Sequence, residues 1–222
     1  MIPNQPHALL EPKAIDLLQA HGIPYPECGV SHSAEEAVQV AERVGYPVVA
    51  KVVSPDVLHK SDAGGVAVGL ENASQVREAY ARVLSTVDTR VPGARILGML
   101  ICQQALPGLE VIVGALKDPL FGPTLMFGLG GIFTEVLRDV SFRIAPLDRR
   151  DAEEMVEEIK GYPLLAGVRG EKPRDVDALV TLLLQVSQLV MQRPDIQELD
   201  LNPVRVYERG IQVLDVRILS TP

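Results

Sequence analysis

The 222-residue sequence contains no tryptophan, four phenylalanines and five tyrosines. That excludes an aromatic stacking platform for single-stranded nucleic acid and leaves the core to Leu, Val, Ile and Ala. Cysteine is nearly absent. Cys28 and Cys102 are too few for a disulfide framework or a cysteine-built metal site, and point to a reducing compartment. Positive charge is in deficit: the formal net charge is -8, which argues against nucleic acid and anionic membrane as partners. A local basic pocket for a phosphate ligand remains compatible with that balance. Long apolar runs are missing as well. The start, MIPNQPHALL, has neither the basic region nor the apolar run of a secretory signal. The most apolar helical stretch, Ala178 to Met191, is interrupted by Thr181, Gln185, Ser187 and Gln188, and falls short of the ~20 apolar residues a bilayer span needs. A cytoplasmic globular protein with no membrane contact is expected. Hydrophobic residues at 47% and charged residues at 23% suit an ordinary core. At about 150 residues per domain, the length allows one large or two small units.

Pro12 followed by KAIDLLQAH and Gly22 predicts a helix with proline in its first turn and glycine past its end. Ser33 and Glu36 have capping-box spacing and open a helix through Val44, closed by Gly45 and Pro47. VVAKVV (48–53) and GVAVGL (65–70) predict strands, with a turning segment rich in Ser, Pro and Asp between them. A helix from about Ser74 to Val87 and a strand over 95–103 follow. LEVIVGAL (109–116) and PTLMF (123–127) predict neighbouring strands joined at Lys117-Asp118-Pro119. Asp151 to Lys160 and Asp175 to Gln192 predict helices with acidic starts, as the helix dipole favours. IQELDL and IQVLDVRI predict paired strands around the Glu208-Arg209-Gly210 turn. Without a strict βαβ rhythm, two α+β lobes fit better than a doubly wound parallel sheet.

Four constellations carry chemistry. Lys51 lies inside an apolar strand, where an ammonium is costly to bury without a partner; taken alone, an edge lysine reaching to water explains it as well. The loop His59-Lys60-Ser61-Asp62-Ala63-Gly64-Gly65 ends in a glycine pair between two strands. Glycine lets backbone N–H groups approach an anion, and strand lysine, loop and second strand in this order suggest a phosphate site rather than a decorated hairpin. The stretch Phe127-Gly128-Leu129-Gly130-Gly131-Ile132-Phe133-Thr134-Glu135 reads as a close backbone approach or a glycine corner, and lacks dinucleotide-fingerprint spacing. Asn202, in ELDLNP, and Asp215 on the next strand can converge, offering the few hard oxygen ligands that suit nucleotide-bound Mg²⁺; a turn with a solvent-facing aspartate is the plainer alternative. Glu110 is a further candidate, because strand carboxylates are depleted. No nucleophile elbow, HExxH pair or paired cysteine ligands are present.

Taken together, EPKAIDLLQAHGIP, GYPVVAKVVSPDVLHKSDAGGV, GLEVIVGALKDPLFGPTLMFGLGGIFTEVLRDVSFRIAPL, PLLAGVRG and ELDLNPV resemble the ATP-grasp domain of ADP-forming acetyl-CoA synthetases, in their β-subunit form. A more distant likeness runs to the β subunit of succinyl-CoA synthetase. The resemblance covers about Leu10 to Leu219.

It implies an α+β ATP-grasp fold of two lobes clasping a nucleotide, with 23–97 the smaller lobe and 1–22 plus 98–222 the larger. It implies the reaction acyl-CoA + ADP + phosphate = acid + CoA + ATP through a phosphohistidine, with ATP or ADP and Mg²⁺ as cofactors. By motif position Lys51 matches a phosphate-contacting lysine. Lys60, Ser61, Asp62, Gly64 and Gly65 match the loop over the phosphates. Cys102, Gln103 and Gln104 match the adenine hinge, Glu110 a nucleotide-site glutamate, and Asn202 and Asp215 the Mg²⁺ ligands. His59 matches a histidine that carries the phosphoryl group. The chain is expected to act only with a CoA-binding α subunit bearing the phosphohistidine domain, in a hetero-oligomer where CoA and the carboxylic acid sit mainly on the partner. Two alternatives stand beside this: a regulatory ATP-grasp module associated with a protein acyltransferase, and another ATP-grasp carboxylate ligase.

Overall fold

Two antiparallel sheets organise the chain in the computed structural model, which describes residues 7–57, 59–131, 139–168 and 170–221. In chain order the described elements are β1 (His7–Ala8), α1 (Glu11–Ala20), β2 (Cys28–Ser31), α2 (Ala34–Val44), β3 (Val48–Val53), β4 (Val66–Leu70), α3 (Ala73–Arg90), β5 (Gly98–Gln103), β6 (Leu109–Asp118) and β7 (Gly122–Leu129). They continue with β8 (Val140–Ile144), α4 (Arg149–Glu158), α5 (Tyr162–Ala166), α6 (Val176–Gln192), β9 (Ile196–Val206), β10 (Ile211–Val213) and β11 (Val216–Ser220). Contacts divide them into a smaller unit, residues 10–13 with 26–106, and a larger one, residues 1–9 and 14–25 with 107–222. The boundaries read from the sequence differ. Residues 98–106 group with the smaller unit, because β5 is hydrogen-bonded between β2 and β3.

In the smaller unit the strand order is β2-β5-β3-β4. Alternation along β3 and β5 sends Val48, Ala50, Val52, Met99 and Ile101 to one face, where Ala37, Val40, Ala41 and Val44 of α2 and Val76, Ala79, Val83 and Val87 of α3 complete a core. Both helices bury residues three and four apart, the stripe an amphipathic helix needs. Ser33 caps α2 by accepting from the Glu36 N–H at 3.1 Å. The Glu36 carboxylate returns to the N–H of His32 at 2.7 Å, one residue earlier than a capping box uses. The opposite face of β3 carries Val49, Lys51 and Val53.

The larger unit holds a seven-stranded sheet in the order β1-β11-β9-β6-β7-β8, with β10 also on β9. The pairs Leu201–Val216 and Val204–Val213 keep one register, so β10 and β11 act as a single partner of β9 interrupted at 214–215. α6 packs on β6 and β7, burying Leu179, Leu182, Leu183, Val186 and Leu189. Each such side chain is worth roughly 1.5–3 kcal/mol of burial. Buried Ser187 donates nothing to the apolar stripe but accepts from the Leu147 N–H at 2.8 Å, fixing the entry to α4.

The start of α6 carries a double restraint. Asp175 Oδ1 accepts from the Ala178 N–H at 3.0 Å, and Oδ2 from the Gly210 N–H at 2.6 Å. One carboxylate therefore caps the helix and anchors the β9–β10 turn. Replacing Asp175 with Ala is expected to cost about 1–2 kcal/mol, with Asp175→Asn costing less because an amide oxygen still caps. Urea unfolding of the two variants checks this ordering; equal midpoints for wild type and Asp175→Ala would contradict it.

Candidate functional site

Lys51 is 7% exposed, on the face of β3 turned away from α2 and α3. An ammonium there must be neutralised. Its Nζ donates to Oε1 of Glu11 at 2.7 Å, and Nζ of Lys60 stands 3.1 Å from Oε2 of the same carboxylate. Glu11 opens α1, and its side chain is 2% exposed. The buried strand lysine is thus half of an ion cluster rather than an edge lysine reaching to water. Sequence reading missed Glu11. Its only local signal is an acid in a first helical turn, which the dipole alone explains.

The loop that carries Lys60 is tightly self-bonded. The N–H groups of Ala63, Gly64 and Gly65 donate to the carbonyls of His59, Ser61 and Lys60 at 3.1, 3.0 and 2.7 Å. Those three donors are spent inside the loop and form no anion cradle here. The glycines answer other constraints: Gly64 has φ +68°, and a Cβ on Gly65 would lie 2.5 Å from Val52. Arg90 of α3 donates to the Asp62 carbonyl at 2.8 Å, tying the loop to the helix layer. His59, Ser61 and Asp62 are exposed.

The hinge residues close the same sheet. The N–H groups of Gln103 and Gln104 donate to the carbonyls of Glu27 and Pro47, both at 2.9 Å, and the Gln104 side chain accepts from the Gly69 N–H at 2.6 Å. Those two hinge donors are committed within the unit. Cys102 is buried directly opposite Cys28; the hydrogen bond between the thiols, then burial, push the Cys102 thiol well above its ordinary pKa. It is held as a thiol, not a nucleophilic thiolate.

In the larger unit, Glu198, Asp200 and Asn202 of β9 face away from the apolar side formed by Leu199, Leu201 and Val204. Asp200 is paired in register with Arg217, and the next pair outward brings Asn202 opposite Asp215, with the Asn202 N–H donating to the Asp215 carbonyl at 3.2 Å. Asn202 and Asp215 thus stand opposite each other at the backbone, with Asn202 exposed and Asp215 half-buried. Asp200 joins them as an unselected neighbour. Burial, then the charges of Glu198 and Asp215, raise its carboxyl pKa against the opposing effect of Arg217. Arg217 is itself bonded to Glu198. The neighbouring carboxylates that add to the raised proton affinity of Asp200 also favour a cation, and the oxygens of Asn202 and Asp215 are hard donors of the kind Mg²⁺ takes. Among the described residues no group of three or more His, Cys, Asp or Glu is placed to hold a metal ion. The i, i+2 spacing of Asp200 and Asn202 was a usable signal for the former.

Glu110 of β6 is paired across the sheet with Arg205 of β9, whose Nε and Nη2 lie 3.1 and 3.0 Å from Oε1. The glycine-rich stretch packs against it: the Gly130 N–H donates to the Glu110 carbonyl at 2.7 Å. A Cβ on Gly128 would lie 2.8 Å from the Asp139 carbonyl. The close approach read from those glycines is present. Ile132, Phe133, Thr134 and Glu135 lie outside the described residues.

This chain belongs to the ATP-grasp domain family, which matches residues 2–219. It is 47% identical to the acetate–CoA ligase [ADP-forming] I subunit beta of Pyrococcus furiosus, over 97% of this chain and 92% of that one. It is 50% identical to acetate–CoA ligase [ADP-forming] I of Archaeoglobus fulgidus over 93% of this chain, but spans only 30% of that relative's length. The same domain thus occurs both as a separate subunit and within longer chains. Among solved structures, acetyl-coenzyme A synthetase 1 of Ca. Korarchaeum cryptofilum, in complex with coenzyme A, Ca-AMPCP and HgCl+, superposes with a TM-score of 0.94 at 47% identity, covering 96% of this chain and 93% of that one. A second structure of that protein, with coenzyme A and Mg-AMPPCP, has its phosphohistidine segment pointing towards the nucleotide binding site; it superposes with a TM-score of 0.84 at 44% identity over the same shares.

The packing of Gly130 on Glu110 is open to a direct check. A Cβ at Gly130 would meet the Glu110 carbonyl carbon, oxygen and Cβ at 3.0 Å, mostly backbone that cannot move aside. Gly130→Val is expected to destabilise the chain by about 1–3 kcal/mol in urea unfolding. A midpoint equal to wild type would show that β6 and the glycine stretch are not in close contact.

Proposed function

We propose that this chain is the nucleotide-binding β subunit of an ADP-forming acyl-CoA synthetase, catalysing acyl-CoA + ADP + phosphate = acid + CoA + ATP together with a CoA-binding α subunit. The observation that carries the reading is the end-to-end match to a separate β subunit of that activity, 97% of this chain on 92% of the relative. The site chemistry agrees. Phosphoryl transfer asks mainly for positioning and for cations around the phosphates, and Lys51 and Lys60 of the smaller unit are cations of that kind.

In this reading Lys51 and Lys60 neutralise the phosphates, the Cys102–Gln104 segment holds adenine, and Glu110, fixed by Arg205, faces the nucleotide. Asn202 and Asp215 hold the Mg²⁺ that lowers the charge of the bound polyphosphate. His59, exposed on its loop, accepts the phosphoryl group on a ring nitrogen as the N–P bond of the α subunit's phosphohistidine breaks; the N–P bond on His59 then breaks as a terminal oxygen of ADP forms the new O–P bond, giving ATP. An imidazole is suited to this because its unperturbed pKa is about 6.5, so a neutral nitrogen is available near neutral pH. CoA and the carboxylic acid are bound mainly by the α subunit. Leu116, Leu120, Phe121, Phe142 and Ile144, exposed around one end of β6, β7 and β8, offer the apolar surface a permanent partner covers. No helix among the described residues is long and apolar enough to cross a membrane, and the reading places the complex in the cytoplasm.

The isolated chain is expected to bind Mg-ADP and Mg-ATP but to show no synthetase turnover until the α subunit is added. Lys51→Ala is expected to weaken Mg-ADP binding by about ten- to a hundredfold in calorimetry, the worth of one charge-assisted contact. Unchanged affinity would remove Lys51 from the site. His59→Ala is expected to abolish turnover of the reconstituted complex while leaving Mg-ADP affinity within about twofold of wild type, because binding rests on other groups. Wild-type turnover in that variant would limit the loop to holding phosphate.

A further inference from the structure

The two lysines on which the phosphate assignment depends share one acid that the assignment does not include. Glu11 places opposite carboxylate oxygens on Lys51 and Lys60, at 2.7 and 3.1 Å. The three side chains are 2%, 9% and 15% exposed, so water does little to screen them. Without the carboxylate, both ammonium groups would lose a close, poorly screened anion that holds them in place. Cys28 and Cys102 lie on the same face of the sheet, where the latter is held as a neutral thiol, and His59 and Asp62 flank Lys60 on its loop with exposed side chains. Glu11 is thus a carboxylate in contact with both cations.

We infer that Glu11 is a positioning residue for the nucleotide's phosphates: its single carboxylate orients the ammonium groups of both Lys51 and Lys60. The inference rests on the phosphate assignment of those lysines. Lysine is a flexible point charge, and ordering it in advance removes a conformational cost from ligand binding. The competing role is purely structural, with Glu11 serving only to make burial of Lys51 tolerable. The two roles diverge for a ligand that has the base and sugar but no phosphate.

Glu11→Gln keeps the side-chain volume and one oxygen acceptor while removing the charge. Mg-ADP affinity by calorimetry and adenosine affinity by competition are measured for wild type, Glu11→Gln, Lys51→Ala and the double variant. Glu11→Gln is expected to bind Mg-ADP about tenfold more weakly and adenosine unchanged. The double variant is expected to bind no more weakly than Lys51→Ala alone, because the two residues act through one contact. Should Glu11→Gln fail to fold, Glu11→Asp retains the charge with shorter reach and is expected to lose Mg-ADP affinity selectively. Mg-ADP affinity at or above wild type, an equal loss for adenosine, or additive losses in the double variant would overturn the inference. If Lys51→Ala also binds like wild type, the phosphate assignment falls with it; if Lys51→Ala alone weakens binding, only the role of Glu11 falls.

Discussion

A charged lysine in the middle of a buried strand has to meet a carboxylate or give up its proton, and the smaller unit is arranged around that requirement. The face of β3 opposite Lys51 is sealed by α2 and α3, whose valines and alanines leave no room for an ion. The counter-ion comes instead from the first turn of α1, forty residues earlier along the chain. This explains why Leu10–Lys13 group with the smaller unit while the rest of α1 groups with the larger. Removing one partner from such a cluster costs more than the pair contributes, because the remaining charge is stranded.

The larger unit repeats the division of labour on its own sheet. Leu199, Leu201, Val204, Val216 and Ile218 turn to one side and are fully buried, while Asp200, Asn202, Asp215 and Arg217 hold the other. The apolar side fixes the strand register, and a slip of one residue would send Asp200 and Asn202 into the core. Stability and chemistry are thereby tied together: the packing that holds β9 and β11 in place also sets which oxygens stand opposite each other. Burial first, and that crowding after it, raise the proton affinity of Asp200.

Much of this was legible in the sequence because its causes are local. Ser33 and Glu36, Gly45, and the acidic start at Asp175 mark helix ends through contacts within a few residues, and α2 and α6 follow those marks. The register joining Asn202 to Asp215 was legible because a short turn at Glu208-Arg209-Gly210 leaves few ways to pair the flanking strands. Non-local pairings were not legible. β2 is only four residues long, CGVS, and its strand character comes from pairing with β5 rather than from its own pattern. β5 belongs to the smaller unit for the same reason. α5, with proline in its first turn, is too short to show a helical period. Glu11 looked like an ordinary first-turn acid, and nothing near it in sequence announces the lysines it holds.

The central claim is that this chain passes a phosphoryl group between nucleotide and a phosphohistidine on a partner chain. It is tested most directly by incubating Mg-ATP labelled in its γ-phosphate with this chain and a CoA-binding α subunit, then following acid-labile label. The account predicts label on the α subunit only when this chain is present, and its return to ATP when ADP is added. An α subunit that stays unlabelled while this chain demonstrably binds Mg-ATP would contradict it.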